Sequence, residues 1–207
     1  MKIKWLGHAC FKLTCSGGET VITDPFDPSV GYGELSDTAD ILTVSHAHHD
    51  HCFTEAVKGV KLTVDRAGEY EFGSVKLTAI PSFHDDCLGA KRGSNLIVKI
   101  QADGQTAVHL GDLGHMPDEA QLEFIKGADA FMIPIGGFYT IDTKTALEII
   151  ALARPRHAVA MHFSNGFCRF PISSAEAFIN ATGAKTIKGE ADILSLPPYA
   201  VFDFQAE

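Results

Sequence analysis

Four of the chain's ten histidines fall within six positions, 46 to 51, in the stretch "SHAHHDH". His46, His48 and His51 bring imidazoles and Asp50 a carboxylate, a donor set suited to zinc, iron or manganese. Side chains two apart in an extended segment point the same way, so His46 and His48 can converge on one ion. If the chain then turns, Asp50 and His51 swing toward a neighbouring position and His49 points elsewhere. A solvated polar loop would be the ordinary alternative. The crowding directly after the apolar run "ADILTV" favours metal.

A second ion needs donors from elsewhere. His84 in "IPSFHDD", Asp112 in "VHLGDLGH" and His162 in "AVAMHFSN" each stand at the end of a strand-like run. Loops at strand ends are free to carry function. Taken singly, each is as well explained as a core histidine or a turn aspartate; taken with the cluster at 46–51 they make a candidate site. Two divalent ions about 3.5–4 Å apart can share a water and lower its pKa toward about 7. Asp50, besides being a ligand candidate, could accept a hydrogen bond from the resulting hydroxide and fix its direction, which makes it the candidate catalytic carboxylate.

Around these residues stand weaker candidates. Imidazole ligands are oriented by partners behind them, and Asp24 in "VITDPF" is the best placed to do so. His8 in "LGHACF" either approaches the site or caps a turn. His109 is expected to alternate away from Asp112, His115 to lie near the mouth, and His157 to be structural. Asp85 and Asp86 read as solvated loop acids, and Cys52 as a small packed residue. Phe138 and Tyr139 in "IGGFYT" could wall a substrate. Lys91, Arg92 and Arg169 are loop cations that could meet an anionic one.

The elements that must position these residues change character along the chain. "KIKWL", "ACFKLTC" and "ETVITD" read as short strands punctuated by Gly7 and Gly17–Gly18, and "ADILTVS" as a strand buried on both faces. "GVKLTVD" and "FGSVKLTAI" are further strands, and "SNLIVKIQ" and "QTAVHLGD" form a hairpin around "ADGQ". From there strand and helix alternate. "PDEAQLEFIKG", "DTKTALEIIALARP" (with Asp142 as N-cap) and "SSAEAFINATG" read as helices, "ADAFMIPI" and "RHAVAMHF" as strands. "KTIKG", "ILSL" and "YAVFDF" close the chain as short strands. A mostly antiparallel first half and an alternating second half predict one α/β domain over residues 1–207, with two sheets and helices outside.

The 207 residues suffice for a sizeable core without disulfides. A net charge of −9 argues against a broad nucleic-acid surface, which needs clustered Lys and Arg. It leaves room for a small anionic substrate, since bound cations reverse the local field. Five cysteines without a C-x-x-C pair give no disulfide framework, which makes a reducing cytoplasm the expected compartment. Neither a signal peptide nor a membrane span is expected. A homo-oligomer remains compatible with the sequence.

"SHAHHDH" matches the H-x-H-x-D-H signature of the metallo-β-lactamase superfamily. "WLGHACF", "TDPF", "GDLGH", "PIGGFYT" and "AMHF" resemble segments of its small, uncharacterised metal-dependent hydrolases, a group similar to the branch that contains a sugar-phosphate lactonase. The resemblance implies a four-layer αβ/βα sandwich. It implies two divalent ions, zinc first with manganese or iron admitted. His46, His48 and His84 would hold one, Asp50, His51 and His162 the other, and Asp112 would bridge them. The implied activity is hydrolysis of an ester, lactone, thioester or phosphodiester in a small molecule. Three rivals stand beside it: a metal-binding protein without catalysis, which shares the ligand set, a nuclease, and a di-iron redox enzyme, whose kind usually carries glutamate at the second histidine of the signature. The missing nuclease insertion, the negative charge, the histidine at 48 and the absence of a flavin-bearing partner domain weigh against the last two.

Overall fold

The computed structural model describes residues 1–204. Its first five strands are β1 (Lys2–Gly7), β2 (Cys10–Thr14), β3 (Thr20–Thr23), β4 (Ile41–Thr43) and β5 (Leu62–Val64). With β13 (Glu190–Asp192) they form a six-stranded sheet in the order β13-β1-β2-β3-β4-β5. The larger sheet takes β6 (Gly68–Phe72), β7 (Val75–Phe83), β8 (Ser94–Ala102), β9 (Gln105–His109), β10 (Ala130–Pro134), β11 (His157–Met161), β12 (Lys185–Lys188) and β14 (Tyr199–Asp203). Its order is β12-β14-β11-β10-β9-β8-β7-β6. The helices α1 (Glu119–Ile125), α2 (Thr143–Ala153) and α3 (Glu176–Thr182) all join strands of the larger sheet. Connections within the smaller sheet carry only the 3-10 turns Pro28–Val30 and Thr54–Ala56. The result is the mixed α/β two-sheet architecture that the resemblance implies.

Local chemistry explains the elements. Asp103 and Gly104 both take positive φ, 57° and 68°, which gives the β8–β9 hairpin the turn twist that matches its strands. Asp142 caps α2 by accepting from the Thr145 amide at 2.8 Å, and Ala146, Ile149, Ile150 and Ala153 bury one helical stripe. Asp118 and Gln121 form a reciprocal capping box on α1. Between the sheets, Phe11 of β2 packs edge-on to His109 of β9 and Phe202 of β14, and Trp5 stacks on Phe163 at 5.3 Å. The fully buried His109 donates from Nε2 to the Ala9 carbonyl at 2.8 Å, so a polar strut also ties the two sheets.

Several expectations need correcting. "ILSL" is not a strand: Ile193–Ser195 is a 3-10 turn capped by Asp192, and the pairing strand precedes it at Glu190–Asp192. "FGSVKLTAI" is not one strand, because Phe72 ends β6 and Gly73, at φ 58°, turns the chain into β7. The first half is less antiparallel than its short strands suggest, since β3, β4 and β5 run parallel.

Strand direction is what positions the site. β1 and β3 are both antiparallel to β2, and β4 is parallel to β3, so β1, β3 and β4 share one direction. In the larger sheet β7 and β9 are both antiparallel to β8, and β9, β10 and β11 are parallel. His8, Asp24, the 46–51 segment, His84, Asp112 and His162 each follow the carboxyl end of one of these strands. Carboxyl ends of aligned strands are where layered α/β folds gather ligands. No helix among the described residues is long and apolar enough to cross a membrane.

Candidate metal centre

The seven residues singled out by type and spacing meet in one place. Asp112, which is fully buried, lies at the middle. Its Oδ2 is 3.1 Å from His84 Nε2, 3.2 Å from His162 Nε2 and 3.8 Å from His46 Nε2, and its Oδ1 is 3.2 Å from His51 Nε2. His46 Nε2 approaches His48 Nδ1 at 3.0 Å. One donor atom each from His46, His48 and His84 lies within 4.8 Å of the others, and so do those of Asp50, His51 and His162.

Hydrogen bonds behind the site fix which nitrogen faces inward. Ser45 donates its amide to Asp24 Oδ1 at 2.8 Å and its hydroxyl to Oδ2 at 2.5 Å. The Ser45 oxygen therefore accepts from His46 Nδ1–H at 2.9 Å, which leaves the His46 Nε2 lone pair facing the cluster. His51 likewise donates Nδ1–H to Asp24 Oδ2 at 2.8 Å. Its Nε2 then faces Asp112 Oδ1 and Asp50 Oδ2, the latter at 3.4 Å. A buried lone pair pointed at two carboxylates calls for a cation between them. His51 Nε2 and Asp112 Oδ1 are indeed buried without a hydrogen-bond partner. The donor set and these orphaned atoms fit divalent metal.

Proton affinities respond to the same arrangement. Burial would lower His51, but the carboxylates of Asp112 and Asp50 outweigh it and hold it well above the usual imidazole value. Burial would raise Asp112 and Asp50. The imidazoles around them, His162 and His51 for Asp112 and His51 for Asp50, hold both well below the carboxylate range. His46 is pushed down to about 3, first by burial and then by His51. Asp24 ends below its ordinary value because His109, His51 and Ser45 overcome its burial. Asp24→Asn keeps the shape and removes the charge behind His51. We expect it to weaken metal at that position by about 10–100-fold, read by chelator competition.

Three residues around the centre pay for their place in backbone strain. His8, Asp24 and His162 have φ of 52°, 42° and 51°, left-handed values that cost of order 1–3 kcal/mol each for non-glycine residues. At Gly136 a Cβ would lie 2.2 Å from the His162 carbonyl oxygen, so only glycine lets the loop after β10 pass that ligand.

Surrounding residues fall less as expected. His49 joins none of the donor groups, as expected, and its exposed ring lines the pocket above the cluster together with Lys91, Arg92, Tyr139 and Phe170. That pocket has a volume of about 320 Å³, at the lower end of small-molecule sites. Tyr139 supplies wall, whereas Phe138 is 69 % exposed. Arg169 is not among the lining residues; its amide donates to Val30. His115 is a brace, accepting from the Phe83 amide at 3.2 Å and donating to Met116 O at 2.8 Å, next to His84. His157 donates to Pro197 O at 3.1 Å, away from the centre. Asn95, which sequence pattern did not flag, accepts from the Asp112 amide at 2.9 Å and donates to Ser82 and Leu110. A buried asparagine inside an apolar strand was the available signal.

Asp85 is the clearest surprise, buried instead of solvated. It accepts the amides of Cys87, Gly89, Lys91 and Arg92 at 2.8–2.9 Å and so shapes the loop that carries both pocket cations. Burial would raise this carboxyl, but those amides hold it well below the usual range. Its contribution is therefore complete above the unfolded value of about 3.9 and is lost as pH falls through the lower folded value. Asp85→Asn should melt below the wild type at pH 7, with the gap closing in strong acid. Melts across pH check this.

Comparison with known proteins shows the family. Residues 2–162 match the β-lactamase superfamily domain. A UPF0173 metal-dependent hydrolase of Methanoregula boonei is 31% identical over 79% of this chain and 82% of its own length. Another, from Archaeoglobus fulgidus, is 26% identical over 99% of both chains. The crystal structure of a candidate zinc-dependent hydrolase of the metallo-β-lactamase superfamily from Thermotoga maritima superposes with a TM-score of 0.80, at 31% identity and 99% coverage of both chains. The chain belongs to the metallo-β-lactamase superfamily, among its UPF0173 metal-dependent hydrolases.

Proposed function

We propose that this protein is a dinuclear hydrolase that cleaves an ester, lactone, thioester or phosphodiester bond in a small anionic molecule. His46, His48 and His84 would hold one divalent cation, Asp50, His51 and His162 the other, with Asp112 between them. The carrying observation is the position of Asp112, whose two oxygens each lie 3.1–3.2 Å from an imidazole of a different group, Oδ2 from His84 and Oδ1 from His51. Zinc fits best, with manganese and iron compatible with the same donors. When bound, two such ions supply a water acidified toward about pH 7 and polarise a carbonyl or phosphoryl oxygen.

The protein's own side chains supply the rest. Asp50 reaches the cluster with Oδ2, 3.4 Å from His51 Nε2, and as an ionised carboxylate can accept a hydrogen bond from water and fix its direction. Tyr139 and Phe170, with ring centroids 6.1 Å apart, give the pocket an aromatic wall that limits water. Arg92 is held at the rim by donating to the Phe138 carbonyl at 2.9 Å and lying over the Tyr139 ring, which leaves further N–H groups for an anion. A net charge of −9 with two cations on this rim suits a small anion better than a polyanion. Five unpaired thiols suit a cytoplasmic setting.

Elemental analysis of protein expressed with zinc or manganese should give two equivalents per chain. Chelation and His48→Ala should each abolish turnover in a screen of esters, lactones, thioesters and phosphodiesters. Protein that takes up no metal would refute the proposal. Two bound ions with no turnover anywhere in the screen would instead indicate a binding protein on this scaffold.

A further inference from the structure

The reading above leaves one imidazole of the cluster without a task. His8 is fully buried, and its Nε2 lies 3.1 Å from Asp50 Oδ2. Its ring centroid is 4.2 Å from that of His162 and 5.2 Å from that of His51, which are 5.7 Å from each other. The three imidazoles assigned to the first cation show the same spacing: 4.6, 4.8 and 5.2 Å among His46, His48 and His84. Donor atoms of His8, Asp50, His51 and His162 all lie within 4.8 Å of one another. We propose that His8 is a further protein donor to the second cation, through Nε2, beside Asp50, His51, His162 and the shared Asp112. This inference rests on the dinuclear reading.

The chain is built to bring His8 there. The β1–β2 register shifts between Trp5 and Gly7, and such bulges re-aim the residues that follow. His8 itself sits at φ 52°, and its carbonyl is pinned by the Trp5 indole N–H at 3.0 Å and by the His162 amide at 3.1 Å. The second of these bonds ties the backbones of two donors together. His8 also matches two assigned ligands in its hydrogen bonding. In His8, His84 and His162 alike, Nδ1 is buried without a hydrogen-bond partner while Nε2 faces a cluster carboxylate.

With Asp112 shared, the first cation would have four protein donors and the second five, so His8 makes the two positions unequal. Donors of both cations line the pocket, His48 and His84 for the first and Asp50 and His162 for the second, whereas His8 and His51 are not among its lining residues.

The test compares wild type, His8→Ala and His8→Gln. Metal is counted by elemental analysis, affinity is read by zinc-chelator competition, and coordination is read from the cobalt-substituted absorption spectrum. We expect His8→Ala to retain one tight equivalent, to bind the other at least about 10-fold more weakly, and to change the cobalt bands. His8→Gln keeps an N–H able to reach Asp50 but offers no imidazole, so it should behave like His8→Ala. It also carries the test should His8→Ala fail to fold. Wild-type affinity for both equivalents in either variant, with an unchanged cobalt spectrum, overturns the inference and leaves the hydrolase intact. Rescue by glutamine alone also overturns it, reducing His8 to a positioning partner of Asp50. Wild-type protein holding fewer than two equivalents refutes the dinuclear reading and this inference with it.

Discussion

Asp112→Asn is expected to cost the protein tight binding of both cations and to lower turnover by at least about 10³-fold. Among the described residues Asp112 is the one carboxylate within 3.8 Å of imidazoles from both groups, so none of their side chains can compensate. Without the cations, the pKa of water returns from about 7 toward 15.7, so the nucleophile is no longer available at neutral pH. The fold should survive. The Asp112 main chain is held by Asn95, not by its own side chain, and Leu110 donates to Met132 O at 3.1 Å. Circular dichroism should match the wild type while elemental analysis falls below two equivalents. A variant that keeps both ions and activity within tenfold would remove Asp112 from the bridging role.

Gly114→Ala should act through the backbone. A Cβ there would lie 2.3 Å from the Asp85 nitrogen, 2.4 Å from the His84 carbonyl carbon and 2.6 Å from the Asp85 Cα. All three are main-chain atoms, so the segment itself must move. It carries both a ligand and the carboxylate that shapes the cationic loop. Overpacking of this kind costs about 1–3 kcal/mol, or more where backbone must yield, and each kcal/mol lowers Tm by roughly 2–4 °C in a chain of this size. Affinity of the first cation should fall with it. Gly166→Ala, where nothing lies within 4 Å of the added carbon, is the control and should stay within about 0.5 kcal/mol of wild type. Equal melting of the two variants would show that the approach of residues 84–85 to Gly114 is not tight.

The donors were legible because metal chemistry restricts residue type. His46, His48, Asp50 and His51 are conspicuous within one hexapeptide, and His84, Asp112 and His162 each stand directly after an apolar strand. The helices were legible because caps and stripes are local, as Asp142 and Ala146–Ala153 show. What escaped was non-local. Asp85 looked solvated because nothing in "HDDCL" tells which of two adjacent acids folds back onto four amides. His49 was expected to point elsewhere than the ligand candidates; it joins no donor group, but that its exposed ring lines the pocket is decided by the turn at residues 49–51 and the loops facing it. "ILSL" read as a strand on composition, while its Asp192 cap turned it into a 3-10 turn.

By itself the sequence determined which atoms can bind metal and that they follow strands, since ligand type and hydrophobic period are properties of short segments. Tertiary structure alone decided that β1, β3, β4, β7, β9 and β11 end together. It also decided that Asp112 falls between two groups of imidazoles and that His8, about forty residues before Asp50, lies 3.1 Å from it. The reason is physical. Donors must approach to within a few ångströms, and that separation is set by strand register, a bulge at Leu6 and the packing of one sheet on the other, none of which a linear pattern encodes.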